Sequence, residues 1–266
     1  MSSNEPIRSN VLMVIPTLGE RIDLLRQTLQ SIVDQGASTP DIIVVCPKKA
    51  LEARALAAEF GADVADDPGG ISAAVNVGFA LAKQRHIYAT WMGDDDLLRS
   101  NSLASTTAAL DANPKAVVAF GFCDYIDDKN NILFTNRAGW YAPWLMTWGP
   151  DLVPLPGILF RLSAVQQAGG FDEALKYAMD LDVLLKLRKM GRFVNTKKTL
   201  AAFRWHPDST TVANRTASLN EAEMVKRRRL SKPLQILAPL WEGPIRAATR
   251  MAARRVNALA HAKKSY

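Results

Sequence analysis

Short apolar runs alternating with helical stretches leave this chain few folds to choose from. Val11-Leu12-Met13-Val14-Ile15 is continuous and rich in branched residues, the pattern of a strand buried on both faces. Pro16-Thr17-Leu18-Gly19 ends it, and Leu24, Leu25, Thr28, Leu29, Ile32 and Val33 then recur at helical spacing before Gly36. Asp41 to Cys46 reads as a second strand stopped by Pro47, and an Ala- and Leu-rich helix follows to Phe60, closed by Gly61. Ala62-Asp63-Val64 gives a short third strand, Ile71 to Lys83 has helical composition, and Ile87 to Met92 is a fourth apolar run. Strands joined through helices by short loops lie parallel, with right-handed crossovers. The expectation is an α/β chain with a doubly wound, mostly parallel sheet flanked by helices.

Directly after the fourth run, behind Gly93, stand three consecutive carboxylates, Asp94-Asp95-Asp96. Like charges packed this closely repel, so they belong on a solvated turn or at a site that supplies a cation. Delivery to the carboxyl end of a strand favours the site, because open α/β sheets collect ligands there. Further on, residues 102–111 read as helix and Ala116 to Phe120 as strand. Residues 132–160 read as irregular, with Trp140, Trp144, Trp148 and four prolines, which fits a substrate-covering region or an apolar flap. Phe171 to Met190 reads as helical.

Hydrophobic residues make up 48% of the 266 and charged residues 22%, which excludes wholesale disorder. Cys46 and Cys123 are the only cysteines, so neither a zinc knuckle nor a disulfide framework is present. The first ten residues lack an apolar signal region, and no apolar stretch reaches the ~18–20 residues that span a bilayer. The expectation is a cytoplasmic chain. Its net charge of +7 conceals a division. Residues 226–266 hold 11 Lys/Arg against the single acid Glu242, whereas residues 1–225 hold 22 basic and 25 acidic residues. A mildly acidic body, 1–225, is therefore expected to carry a basic helical tail, 226–266.

Five segments, taken in order, resemble the family 2 inverting glycosyltransferases with the nucleotide-sugar-binding GT-A fold. They are Pro16-Thr17-Leu18-Gly19-Glu20-Arg21, Asp66-Asp67-Pro68-Gly69-Gly70-Ile71, Gly93 to Asp96, Met179-Asp180-Leu181-Asp182, and Arg204-Trp205-His206. The resemblance spans about residues 10–212. It implies transfer of a sugar from a nucleotide-diphosphate donor to a hydroxyl of a glycan or lipid-linked acceptor, as in polysaccharide or cell-envelope assembly. By resemblance, Pro16, Thr17 and Glu20 face the nucleoside, and Asp67, Gly70 and Asn76 belong to a loop and helix packed against it. Asp94 and Asp95 lie at the donor, and Arg204 is placed to pair with phosphate. The leaving diphosphate gains charge as the anomeric bond breaks, which a Mg²⁺ or Mn²⁺ on hard oxygen ligands would offset. Asp95 is the main candidate ligand, with Asp94 or Asp96 as the second contact and His206 as a further one. Asp180 is implied as the base that deprotonates the acceptor. Its place at a helix start also fits an N-cap, and Asp182 is the next candidate base.

The chain departs from the family pattern at three places. Gly93 stands where an Asp is usual, Met179 where a Glu is usual, and Cys46-Pro47-Lys48 where an acid commonly reads the base. Gly93 and Met179 keep open a non-catalytic nucleotide-sugar-binding module. A nucleotidyltransferase on a similar sheet would need a basic Gly-rich loop near the amino terminus, and residues 16–21 offer only Gly19 and Arg21. Beyond Pro244, Ile245, Ala248, Ala252, Val256 and Leu259 share one helical stripe, with Arg246, Arg250, Arg254 and His261 opposite. Such a tail suits peripheral contact with the anionic inner face of a cell membrane, or packing on the body or on a twin subunit in a homodimer. Nothing resembling a nucleic-acid reading motif accompanies it.

Overall fold

The computed structural model describes residues 9–205 and 214–264. Its first half has the expected alternation: β1 (Val11–Pro16), α1 (Ile22–Val33), β2 (Asp41–Cys46), α2 (Leu51–Glu59), β3 (Asp63–Asp66), α3 (Ile71–Ala80) and β4 (Tyr88–Trp91). These strands lie in the order β3-β2-β1-β4, all parallel, with Leu12 opposite Asp41, Val11 opposite Tyr88 and Ile43 opposite Asp63. The continuous apolar run of β1 follows from burial on both faces. Leu12 and Val14 point into a cluster with Ala74, Val75 and Phe79 of α3, whereas Met13 and Ile15 meet Leu25, Leu29 and Ile32 of α1. Helix α3 lies so close on β1 that a Cβ at Gly78 would overlap the Val14 methyls.

The second half is mixed. After β5 (Leu97–Leu98) and α4 (Ser102–Asp111) come β6 (Ala116–Ile126), β7 (Ile132–Asn136), α5 (Ala142–Leu145), β8 (Leu159–Arg161), α6 (Leu162–Gln167), α7 (Met179–Met190) and β9 (Arg192–Arg204). Strand β8 runs antiparallel to both β4 and β6 and so welds the parallel half to the rest. The long β6–β9 pairing is parallel again, giving the order β3-β2-β1-β4-β8-β6-β9-β5 with β7 alongside β6. Helices α8 (Arg215–Arg227), α9 (Lys232–Leu237) and α10 (Pro239–Lys264) follow.

Three expectations are corrected. The stretch 132–160 is not all irregular, because β7 and β8 pair with β6 inside it. Helix α7 begins at Met179 rather than Phe171. Backbone groups of 171–178 are taken by side chains from elsewhere: Asn76 bonds both N–H and C=O of Phe171, Ser72 donates to Leu175 O, and Glu221 accepts from the backbone at 176–178. In the tail helix, Ala248 of the expected apolar stripe is exposed, while Arg246 of the opposite side is drawn in to pair with Glu223. Trp241 packs edge to face on Trp148 at 6.0 Å. Helix α8 runs through residues 225 and 226. Among the described residues, no helix is long and apolar enough to cross a membrane.

Candidate active site

Parallel neighbours end on the same side of a sheet, and here β1, β2, β3 and β4 all end on one cleft of about 1230 Å³. Pro16, Thr17 and Glu20 enter it after β1, Asp67 and Gly70 after β3, and Asp94, Asp95 and Asp96 after β4. The β1–β4 pairing places Thr17 beside the acidic turn, where its hydroxyl donates to Asp94 Oδ2 at 2.5 Å. Arg21 spans the pair, with Nη2 on Asp94 Oδ1 at 2.5 Å and Nη1 on Asp95 Oδ2 at 2.6 Å. Burial raises Asp94 above the usual carboxylate range, against the pull of the Thr17 hydroxyl and the Arg21 charge. Gly93 leaves the space that this turn uses: a Cβ there would come 3.0 Å from Asp95 Oδ1 and 3.3 Å from Asp96 Oδ2.

The other expected residues are divided by the structure. Asp96 is buried and its Oδ1 accepts the backbone N–H of Arg204 at 3.0 Å. Burial, with the Asp95 charge next, raises it well above its ordinary value. Arg204 is only 2% exposed and its guanidinium braces the turn: Nε donates to Asp95 O, Nη1 to Asp127 O and Nη2 to Gln27 Oε1. The phosphate fork expected of Arg204 is thus committed to protein oxygens, since a buried guanidinium needs its acceptors nearby. Asn76 does not line the cleft; it clamps Phe171, as described, and also donates to Glu173. His206 lies outside the described residues.

Asp180 does line the cleft. It is the second residue of α7, whose N-cap position is Ala178, so it is not the N-cap. Its Oδ1 is sealed from solvent with no hydrogen-bond partner among the described residues. Burial, reinforced by the charge of Asp151, pushes its carboxyl up to about 8. Asp182, one residue beyond Leu181 on α7, points elsewhere and is ion-paired to Lys186 at 2.8 Å and Arg229 at 2.6 Å. It is absent from the cleft lining. The start of α7 is held by Glu221 of α8, which accepts from Lys176 N (3.1 Å), Tyr177 N (2.6 Å) and Ala178 N (2.7 Å). Sequence reasoning gave no role to Arg21, Asp151 or Glu221. Arg21 lay within a quoted motif, but Glu221 reaches its partners across more than 40 residues of chain and left no local pattern.

No group of three or more His, Cys, Asp or Glu side chains converges on a metal position among the described residues. The donor set at the acidic turn nonetheless suits a hard cation that takes one or two carboxylates and completes its shell with phosphate and water. A positive group, the Arg21 guanidinium, already bridges those two carboxylates.

An α/β sheet that changes from parallel to mixed around such a cleft is the architecture of the GT-A glycosyltransferases. The chain belongs to the glycosyl transferase family 2, whose family model matches residues 13–164, and it is an enzyme of that type. It is 25% identical over 233 residues to an uncharacterized glycosyltransferase of Rickettsia prowazekii (strain Madrid E), covering 82% of this chain and 70% of the relative. A second such relative, from Rickettsia typhi, is 26% identical over 229 residues, covering 80% and 68%. Among solved structures, the mannosyltransferase PcManGT from Pyrobaculum calidifontis, in complex with GDP-Man and Mn²⁺, superposes with a TM-score of 0.63 at 16% identity, covering 98% of this chain and 81% of that one. S. aureus TarS 1–349 in complex with UDP-GlcNAc gives 0.62 at 12% identity, covering 85% and 69%. Both likenesses concern the fold.

Proposed function

We propose that this glycosyltransferase moves a sugar from a nucleoside-diphosphate donor to a hydroxyl of a glycan or lipid-linked acceptor, with inversion and Asp180 as base. The observation that carries the reading is that a buried carboxyl whose Oδ1 has no hydrogen-bond partner among the described residues, Asp180, and a carboxylate pair bridged by the Arg21 guanidinium share one cleft. Pro16, Thr17, Glu20, Asp67 and Gly70 would hold the nucleoside end of the donor at the strand ends. Asp95, with Asp94, would hold a Mg²⁺ or Mn²⁺ that neutralises charge on the departing diphosphate. Asp96 and Arg204 keep the acidic turn in shape through their mutual bonds. Asp180 takes the proton of the acceptor hydroxyl while that oxygen attacks the anomeric carbon from the opposite face. The bond to the β-phosphate oxygen breaks, and its electron pair leaves with the diphosphate.

The basic tail would keep the enzyme on an anionic membrane surface near such acceptors. Calorimetry with UDP, GDP and dTDP, with and without Mn²⁺, followed by hydrolysis of the matching sugar donors, tests the donor half. One nucleotide should bind at least tenfold tighter with Mn²⁺, and Asp95→Asn should remove that gain. Binding and turnover unchanged in EDTA would remove the cation from the reading.

A further inference from the structure

We propose that the cleft continues beyond Asp180 into an apolar side chamber that receives a hydrophobic group carried by the acceptor beside its reacting hydroxyl. This rests on the transferase reading above. The chamber, about 210 Å³, lies between the 147–151 segment and helices α8 and α10. Asp151, Leu181, Trp205, Ser218 and Ala222 line both spaces, so the two adjoin across a shared wall, and Leu181 follows Asp180 directly. An acceptor whose hydroxyl meets Asp180 must extend somewhere, and this chamber is adjacent to the base.

The lining decides the chemistry of the occupant. Trp148, Trp241, Leu219 and Ile245 supply apolar wall. The charged groups of the lining are engaged with protein: Lys226 Nζ donates to Gly149 O at 2.5 Å, Asp151 Oδ1 accepts from Val153 N at 3.0 Å, Arg246 pairs with Glu223, and Glu242 pairs with Arg227. Thr147 Oγ1, buried without a partner among the described residues, and Ser218 are among the few polar groups left to meet sugar hydroxyls, and hydroxyls buried without partners are disfavoured. An apolar cavity of roughly 150 Å³ takes a benzene ring. The chamber therefore fits an aryl group or a short length of alkyl chain. The first carbons of a lipid carrier and an aryl aglycone share this chemistry.

Calorimetry on the full chain with methyl, octyl and phenyl glycosides of glucose, galactose and mannose tests this, with nucleotide binding measured in parallel. The octyl or phenyl compound of at least one sugar should bind at least tenfold tighter than its methyl counterpart; octyl above phenyl points to a lipid, the reverse to an aryl group. Trp241→Ala should abolish the gain and leave nucleotide affinity unchanged. Because that change could loosen α10, Leu219→Trp on α8, which narrows the chamber from a half-buried position outside the main cleft, provides a second variant with the same expected result. Equal binding of methyl and octyl glycosides, or a gain that survives both variants, overturns the chamber. An intact octyl gain in a protein that binds no nucleotide would reject the transferase reading and retain the hydrophobic site.

Discussion

A carboxyl lifted to about 8 by burial is mostly protonated at neutral pH, and it serves as a base only once ionised. For Asp180 this fixes two signs. With acceptor saturating, kcat/KM for the donor should fall about tenfold per unit as the pH drops below 8, and Asp180→Asn should lose at least 100-fold in transfer while binding nucleotide normally. A flat profile between pH 6 and 9 would remove Asp180 as base. The second sign concerns stability. The unfolded chain ionises this group near its ordinary 3.8, whereas the folded chain keeps the proton until about 8. The stabilisation is whole below pH 4 and declines as pH rises toward 8. Asp180→Asn has no such decline, so its Tm should gain on that of the native protein from pH 5 to 9. Melts that stay parallel would contradict the buried environment.

Among the elements, the start of α7 carries the greatest consequence. Its preceding loop is fastened on one side by Ser72 and Asn76 of α3 and on the other by Glu221 of α8. Glu221 touches no reacting atom in this reading; it is a positioning residue for Asp180. Glu221→Ala should lower kcat about tenfold or more, leave donor KM within twofold, and shift the apparent pKa of the kcat profile as water reaches Asp180. Glu221→Gln, whose amide oxygen can still accept the two bonds from Tyr177 N and Ala178 N that one carboxylate oxygen takes, should recover part of the rate. A change in KM alone would make the contact merely structural.

The same loop shows what the sequence could and could not reveal. Strands β1, β2 and β4 are legible because burial on both faces demands unbroken apolar runs. Thr17, Asp94 and Asp95 are legible because strand ends supply a local pattern. Residues 171–178 have helical composition, yet long-range side chains claim their backbone, which no window of sequence displays. Strand β9 is half-exposed and includes Lys197 and Lys198, so it lacks the apolar signature that marks the parallel strands.

Across the whole molecule, charge and aromatic surface are distributed unevenly. Arg227 and Arg246 of the basic tail are spent on Glu242 and Glu223, whereas Arg250 and Arg254 face outward. Trp140 is 84% exposed and Trp144 57%. If the tail serves attachment, the native protein should co-sediment with vesicles containing anionic lipid, and raising the salt to 0.5 M should release most of it. Arg250→Glu with Arg254→Glu should cut the bound fraction several-fold without altering donor hydrolysis. Equal binding to neutral vesicles would point instead to the exposed tryptophans.

The helix-borne clasp of Glu221 has a further meaning for how such enzymes diversify. The end of the cleft proposed to hold the donor is assembled from strand ends within the first hundred residues. Much of the chamber wall proposed to face the acceptor, and the clasp proposed to orient the base, come from helices that begin after residue 214, with Trp148 among the earlier contributions. In this reading the two specificities are encoded in separate stretches of chain. Substitutions in the later helices can then redirect the enzyme to a new acceptor while its donor stays the same, provided the carboxylate at 221 is kept.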